Sequence, residues 1–284
     1  MKLSIIIVSY NTKDYLEATL QSIKQSVDHL NKEIIVVDNA STDGSPEALK
    51  SQFKWVKLIR NNQNLGFAAA NNIGIKQARG EYILFLNSDT KIFPDTLSTV
   101  IDFMDQHGEV GVSTCRVQLV NGQIDPASHR GFPTPWNAFT YFTGLEKLFP
   151  KLKLFSGYHQ GWKDLSFVHE IDSPAGAFFL TRKKILDQIG DFDDRFFMYA
   201  EDLDLSLRIK QTGWKIMYVP TAKIIHYKKK SGRESSHSQT RSQTTDQFFT
   251  TMRLFYDKHY KHKYPFIFRW LILIGIRLIR SIRN

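Results

Sequence analysis

Cysteine is nearly absent: Cys115 is the one thiol in 284 residues. Internal disulfides and cysteine-built zinc clusters are thereby excluded, which suits a reducing compartment. A secretory leader of ordinary form is also missing, since "MKLSIIIVSYN" holds an apolar stretch too short for a leader core and no small-residue cleavage site. A cytoplasmic location is the expectation. No GxGxxG turn follows the first apolar run and no GxxxxGK[ST] loop is present. Phosphate binding by a glycine-rich turn is therefore disfavoured, leaving a nucleotide site built from side chains and a metal. Long hydrophobic runs are lacking too. Near the C-terminus the apolar stretch 270–276 is closed off by Arg269 and Arg277, far short of the roughly 20 residues that span a bilayer.

Acidic residues are scarce in one region only. The chain carries a net charge of +10, and residues 223–284 hold 14 Lys and Arg against 3 Asp and Glu, a surplus of 11 that leaves residues 1–222 at −1. A nucleic-acid groove needs basic residues spread over a folded face, so a neutral body with a basic tail argues against a nucleic-acid partner.

What is present is a large core and a repeating order. With 42% hydrophobic residues the chain can bury one enlarged domain, or a domain plus an appendage. "LSIIIVSYN", "EIIVVDNAS", "VKLIRN" and "YILFLNSD" read as strands, the longer ones as doubly covered parallel strands. Between them, 13–26, 46–53 and 67–78 carry helical spacing. The alternation predicts an α/β fold, an open parallel sheet with helices on both faces. In such sheets ligands bind beyond the carboxyl ends of the strands. Polar residues fall at those ends four times: Ser9, Tyr10 and Asn11; Asp38, Asn39 and Ser41; Asn61, Asn62 and Asn64; Asn87, Ser88 and Asp89. One such end is turn chemistry. Four in succession point to a site.

Farther along, "KIMYVPTAKIIHY" reads as two short strands ending at His226, and Glu201–Gln211 as a short helix with acids in its first turn. Residues 121–170 are mixed and aromatic-rich, read as an acceptor region; Trp136, Tyr141 and Trp162 could stack on sugars or face lipid, but core packing is the first reading for each. "KKKSGRESSHSQTRSQ" reads as a flexible basic loop. In 266–284, Arg269, Arg277, Arg280 and Arg283 share one narrow helical arc, the pattern of a helix lying on an anionic membrane or packed against the body or a second subunit, as in a homodimer.

The stretches "IIIVSYN", "IIVVDNASTDGS", "NQNLGFAAANNIGI", "YILFLNSDT", "SPAGAFFLTRK" and "GDFDDRFFMYAEDLDLSLRIKQTGWK" resemble, in that order, an inverting family 2 glycosyltransferase of the GT-A fold, closest to its bacterial rhamnosyltransferase-like branch. The resemblance implies that Asp38 accepts N3–H of uracil or thymine, with Ser9, Tyr10 and Asn11 around the base. Asn64, Gly66 and Asn71 would close over the nucleotide, and Asn87, Ser88, Ala175 and Gly176 would lie along the donor. Asp89 would hold a divalent cation, Mn²⁺ or Mg²⁺, on the diphosphate, with His226 as a second ligand. Asn87 stands where the family carries the first acid of its Asp-any-Asp motif, which lowers the local negative charge. Asp202 would be the general base, supported by Glu201 and Arg208, and Lys228, Lys229 or Arg233 would belong to a lid over the diphosphate. Plainer roles compete: helix capping for Asp38 and Asp89, a surface role for His226, a dipole effect for the acids of 201–202. The organisation implied is a GT-A domain over 1–227 (donor half 1–120, acceptor and catalytic half 121–227), a loop over 228–245 and a membrane-associating helical segment over 246–284. The expected partners are a dTDP- or UDP-sugar and a glycan or polyprenyl-diphosphate-linked acceptor at the inner face of a bacterial membrane. A related nucleotidyltransferase or a noncatalytic sugar-nucleotide-binding protein is the alternative.

Overall fold

β-Branched runs with no charge inside them pair where both faces can be covered, and among the described residues nine strands form one sheet. The computed structural model describes residues 1–228 and 238–265. β1 (Leu3–Ser9), β2 (Lys32–Asp38), β3 (Lys57–Arg60) and β4 (Tyr82–Leu86) alternate with α1 (Lys13–Lys24), α2 (Ser45–Gln52) and α3 (Phe67–Ile75). Next come β5 (Thr90–Ile92), α4 (Thr96–Gln106), β6 (Val110–Leu119), α5 (Pro135–Thr143), α6 (Leu145–Leu148), β7 (His169–Glu170), β8 (Phe178–Arg182) and α7 (Lys183–Ile189). α8 (Glu201–Gln211), β9 (Lys215–His226) and α9 (Ser238–His259) complete the order.

The sheet runs β3-β2-β1-β4-β8-β6-β9-β5, with β7 beside β9. β1 pairs parallel with β2 and β4, β2 with β3, and β6 with β9, whereas β8 is antiparallel to both β4 and β6. Six strands therefore share one direction, and the mostly parallel sheet expected from the alternation is present. Its two faces bury separate clusters. Leu3, Ile5 and Ile7 of β1 meet Leu16 and Leu20 of α1 and Leu97, Val100 and Met104 of α4. Ile6 faces the other way with Ala68 and Ala70 of α3 and Leu205 and Ile209 of α8. Each fully buried Ile or Leu contributes about 1.5–3 kcal/mol, so the two faces fix the register of β1 between them.

Three elements differ from the sequence reading. β9 is one strand, because residues 220–222 form a bulge: its register against β6 steps from Cys115↔Val219 to Arg116↔Lys223, and Pro220 is accommodated at the irregularity. A short β5 follows the polar turn at 87–89 and pairs antiparallel with the end of β9. Helix α9 begins at Ser238, inside the stretch expected to be a loop. Its C-terminal half is anchored: Phe255, Tyr256 and Tyr260 pack on Phe196, Ala200 and Leu203, and a helix anchored at one end propagates at little cost. Residues 229–237, including Lys229 and Arg233, and the segment 266–284 lie outside the described residues. Among the described residues no helix is long and apolar enough to cross a membrane.

Candidate active site

Ser9 and Asp38 end adjacent parallel strands in direct register, and the polar groups beyond them bond to one another. Ser9 Oγ lies 3.1 Å from Thr12 Oγ1, which donates to Ser88 Oγ at 2.9 Å. Asn11 holds a left-handed conformation, φ +53°; its N–H donates to Ser41 Oγ at 3.0 Å and its Oδ1 accepts from Thr42 N at 2.8 Å. Tyr10 stands exposed at this rim. Asp38 is 0% exposed. One of its oxygens, Oδ2, accepts from Ser41 N at 3.1 Å, while Oδ1 is buried with no partner. A buried carboxylate oxygen without a donor is costly, and it is satisfied when a ligand N–H reaches it. The turn role and the ligand role divide between its two oxygens, and Asp43 makes the bond to the start of α2 through Ser45 N at 3.1 Å.

The next turn is built around Gly66. Asn64 Oδ1 accepts from Gly66 N at 2.9 Å and from Asn39 Nδ2 at 3.2 Å. Gly66 opens α3 at φ +83°, and a Cβ there would stand 2.4 Å from the Phe197 carbonyl oxygen. Asn71 Nδ2 donates back to Phe67 O at 2.9 Å, and its Oδ1 is buried without a partner. Asn64 is thus a framework residue, whereas Asn71 keeps an open acceptor.

Beyond β4, Asp89 does not cap α4, whose N-cap is Asp95. Its Oδ1 lies 3.2 Å from His226 Nε2, and Asn87 Nδ2 lies 3.3 Å from the same nitrogen. The pairing of β5 with β9 enforces this, since Thr90 and His226 are register partners. His226 is buried, with Nδ1 3.3 Å from Asp125 Oδ2, and Lys228 Nζ reaches Asp125 Oδ1 at 3.0 Å. Burial works against charge on His226, yet the hydrogen bonds to Asp125 and Asp89 win and raise its pKa to about 9. Burial likewise opposes the Asp125 carboxylate, but His226 and Lys228 hold it well below the usual range.

Asp202 and Glu201 are both buried at the start of α8. Asp202 Oδ2 accepts from Arg130 Nη2 at 2.6 Å and from Gly176 N at 3.3 Å, and its Oδ1 accepts from Leu203 N at 2.8 Å. Burial first, and the Asp202 charge second, push the Glu201 carboxyl up to about 8. Its Oε2 is buried without a partner. Arg208, expected to support the base, instead pairs with Asp204 at 2.9 Å and donates to the carbonyls of Ile189, Gly190 and Asp191. It is drawn away from Asp202 because the end of α7 leaves those carbonyls unpaired. Gly176 lies against the Phe67 ring, 3.1 Å from where a Cβ would sit, and Ala175 packs on the core.

The two regions adjoin. Asn87 N donates to Ala177 O at 3.4 Å, and the preceding residue, Gly176, donates to Asp202. Residues 176–177 therefore link the exit of β4, with Asp89 and His226, to the start of α8.

The model of "Glycosyl transferase family 2" matches residues 4–190. The chain belongs to that family. It is 27% identical over 256 residues to an N-acetylglucosaminyl-diphospho-decaprenol L-rhamnosyltransferase of Mycobacterium tuberculosis, covering 86% of this chain and 82% of that protein. It is 29% identical over 232 residues to the rhamnosyltransferase WbbL of Escherichia coli, covering 78% and 82%. In fold it is similar to the mannosyltransferase PcManGT of Pyrobaculum calidifontis, solved with GDP-Man and Mn²⁺: TM-score 0.60, 19% identity, 88% of this chain and 64% of that one.

For this family 2 glycosyltransferase, sequence reasoning missed Arg130, Asp125 and Thr12. Arg130 sits in the aromatic-rich stretch, 72 residues from the acid it pairs with. Its bridge to Ser173 has no periodic signature. Asp125 is followed by Pro126, a turn signal that gives no hint of a carboxylate aimed at His226. Thr12 stands one residue past the polar strand end and precedes α1, yet its side chain makes no cap bond and turns to Ser9 and Ser88.

Proposed function

We propose that this glycosyltransferase performs inverting transfer of a sugar, rhamnose from dTDP-rhamnose or a sugar from a UDP-sugar, onto a hydroxyl of a glycan or polyprenyl-diphosphate-linked acceptor in bacterial surface-polysaccharide synthesis. The observation that carries the reading is the junction at 176–177, whose consecutive residues bond to Asn87 at the exit of β4 and to Asp202 at the start of α8. The names of the mycobacterial and E. coli relatives favour rhamnose and a lipid-linked acceptor.

Asp38 Oδ1 takes the N3–H of uracil or thymine; cytosine has no proton there to give. Asp202 is the base. As the acceptor oxygen bonds to the anomeric carbon, the bond from that carbon to the diphosphate breaks on the opposite face, the electron pair leaves with the diphosphate, and the hydroxyl proton passes to Asp202. Arg130 and the Gly176 and Leu203 N–H groups fix the carboxylate while leaving lone pairs for that proton. Glu201, neutral near pH 7, keeps a second negative charge away from the base and has a proton to offer a sugar oxygen. The residues fit a divalent cation provided His226 gives up its Nε2 proton, which the cation's own charge would favour: an oxygen and a nitrogen donor would then stand together, with Asp125 orienting the imidazole from behind, as metal-bound histidines require. Among the described residues no group of three or more His, Cys, Asp or Glu side chains is arranged to hold a metal alone, so Asp89 and His226 would share it with the donor diphosphate. When bound, the cation would stabilise charge on the leaving diphosphate.

A screen of nucleotide sugars with Mn²⁺ and a lipid-linked saccharide acceptor, read by mass spectrometry, tests this. Transfer from one donor, with Asp202→Asn binding that donor normally and turning over on the order of 10²–10⁴ times more slowly, is the expected result. Near-normal turnover by Asp202→Asn removes the base assignment, and binding without turnover by the native chain supports the noncatalytic alternative.

A further inference from the structure

Large apolar side chains that stay in water are expected singly, not in company. In this enzyme six of them gather in one short region: Trp136, Phe139, Leu148, Phe149, Leu152 and Leu154. Leu148 is 72% exposed and Leu154 63%, values at which no core role remains. The group is continuous in space. Trp136 and Phe139 of α5 have ring centroids 5.6 Å apart, Trp136 lies 6.3 Å from Phe155, and Phe155 lies 5.2 Å from Phe149. The Trp136 indole N–H donates to Leu154 O at 2.7 Å, holding the loop against the helix.

The charges within its loop are of one sign. Residues 147–154 read Lys-Leu-Phe-Pro-Lys-Leu-Lys-Leu and are exposed throughout. The acid just before them, Glu146, is buried and turned inward to His159, whose N–H and Nδ1 lie 2.8 and 3.1 Å from its carboxylate. Lys151 also lines a cavity with Arg116 and Lys163, two cations against one acid, Asp164. Aromatic and leucine side chains interleaved with lysine, without an exposed acid in the run, complement an interface of acyl chains and phosphates rather than a protein surface of mixed charge.

We propose that this face, Trp136 and Phe139 with residues 147–154, docks the enzyme on an anionic lipid surface: the apolar side chains enter the headgroup region and Lys147, Lys151 and Lys153 meet lipid phosphates. Docking rests on the transferase reading for its purpose, which is to bring the site to a lipid-linked acceptor, but it is measured without donor or acceptor.

The full chain is sedimented with vesicles of phosphatidylglycerol and phosphatidylethanolamine, and with neutral phosphatidylcholine vesicles. Three proteins are compared: the native chain, Leu148→Ser/Phe149→Ser/Leu152→Ser/Leu154→Ser, and a tail control, Arg277→Ser/Arg280→Ser/Arg283→Ser. Native binding to anionic vesicles, falling at least about tenfold in the four-residue variant, is the expected result. An unaltered melting temperature and unaltered sugar-nucleotide binding show that the variant folds. Fluorescence adds a second reading: quenching by brominated acyl chains should fall in Trp136→Phe. Equal binding by native and four-residue proteins, loss confined to the tail control, or no native binding to anionic vesicles would overturn the proposal. So would conversion of a native dimer to a monomer by the four-residue variant, since the face would then be a protein interface. Failed sugar transfer with intact vesicle binding would count against the transferase reading alone.

Discussion

Asp38 shows how one side chain serves two roles. Oδ2 closes the turn to Ser41, and Oδ1 waits, buried and unpaired. Asp38→Ala should weaken dTDP or UDP binding on the order of tenfold, the scale of one hydrogen bond to a charged group, and should narrow the preference over CDP; titration calorimetry with the three nucleotides checks both. The strand-end acids stood out in the sequence because polar residues follow each of four apolar runs in turn. Arg130 was not, because its meaning depends on Asp202, and the contact exists only once the chain between them has folded. The same holds for Asp125, whose partner His226 is 101 residues away.

At the scale of elements, periodicity served well where burial is regular. α8 spans the stretch read from its leucine and isoleucine spacing, and the early strands fall within the apolar runs. It failed at β9, where Pro220 suggested a break and the sheet absorbed it as a bulge. The turn into α3 is tightly constrained: Gly66 combines φ +83° and ψ 176° with backbone contact to Phe197. That conformation is nearly restricted to glycine. Gly66→Ala should therefore destabilise the fold by about 1–3 kcal/mol from backbone strain alone, more if Phe197 cannot yield, and should loosen donor binding through the displaced Asn39–Asn64 network. Denaturant unfolding with and without nucleotide separates the two effects; an unchanged midpoint would refute the strain argument.

Over the whole molecule, one sheet unites β1–β4 with β8, β6 and β9, so the residues proposed for the chemistry share its stability. Glu201 makes the link measurable. Its pKa rises from 4.5 to about 8 on folding, so between those values the native state holds a proton that the unfolded chain has released, and stability falls as pH rises across that window. Glu201→Gln should flatten the decline and melt higher than the native protein at pH 8 and above; parallel pH profiles of the two melting temperatures would contradict it. For membrane contact the sequence pointed to the basic tail, while the exposed apolar face appeared only when α5 and the loop after α6 came together. Cys115, finally, is fully buried within β6, where burial pushes its thiol well above the ordinary range and keeps it unreactive. The native chain is thus a silent background for thiol chemistry: one cysteine placed at position 152 would carry a spin label or fluorophore to that point alone, without first engineering any residue away.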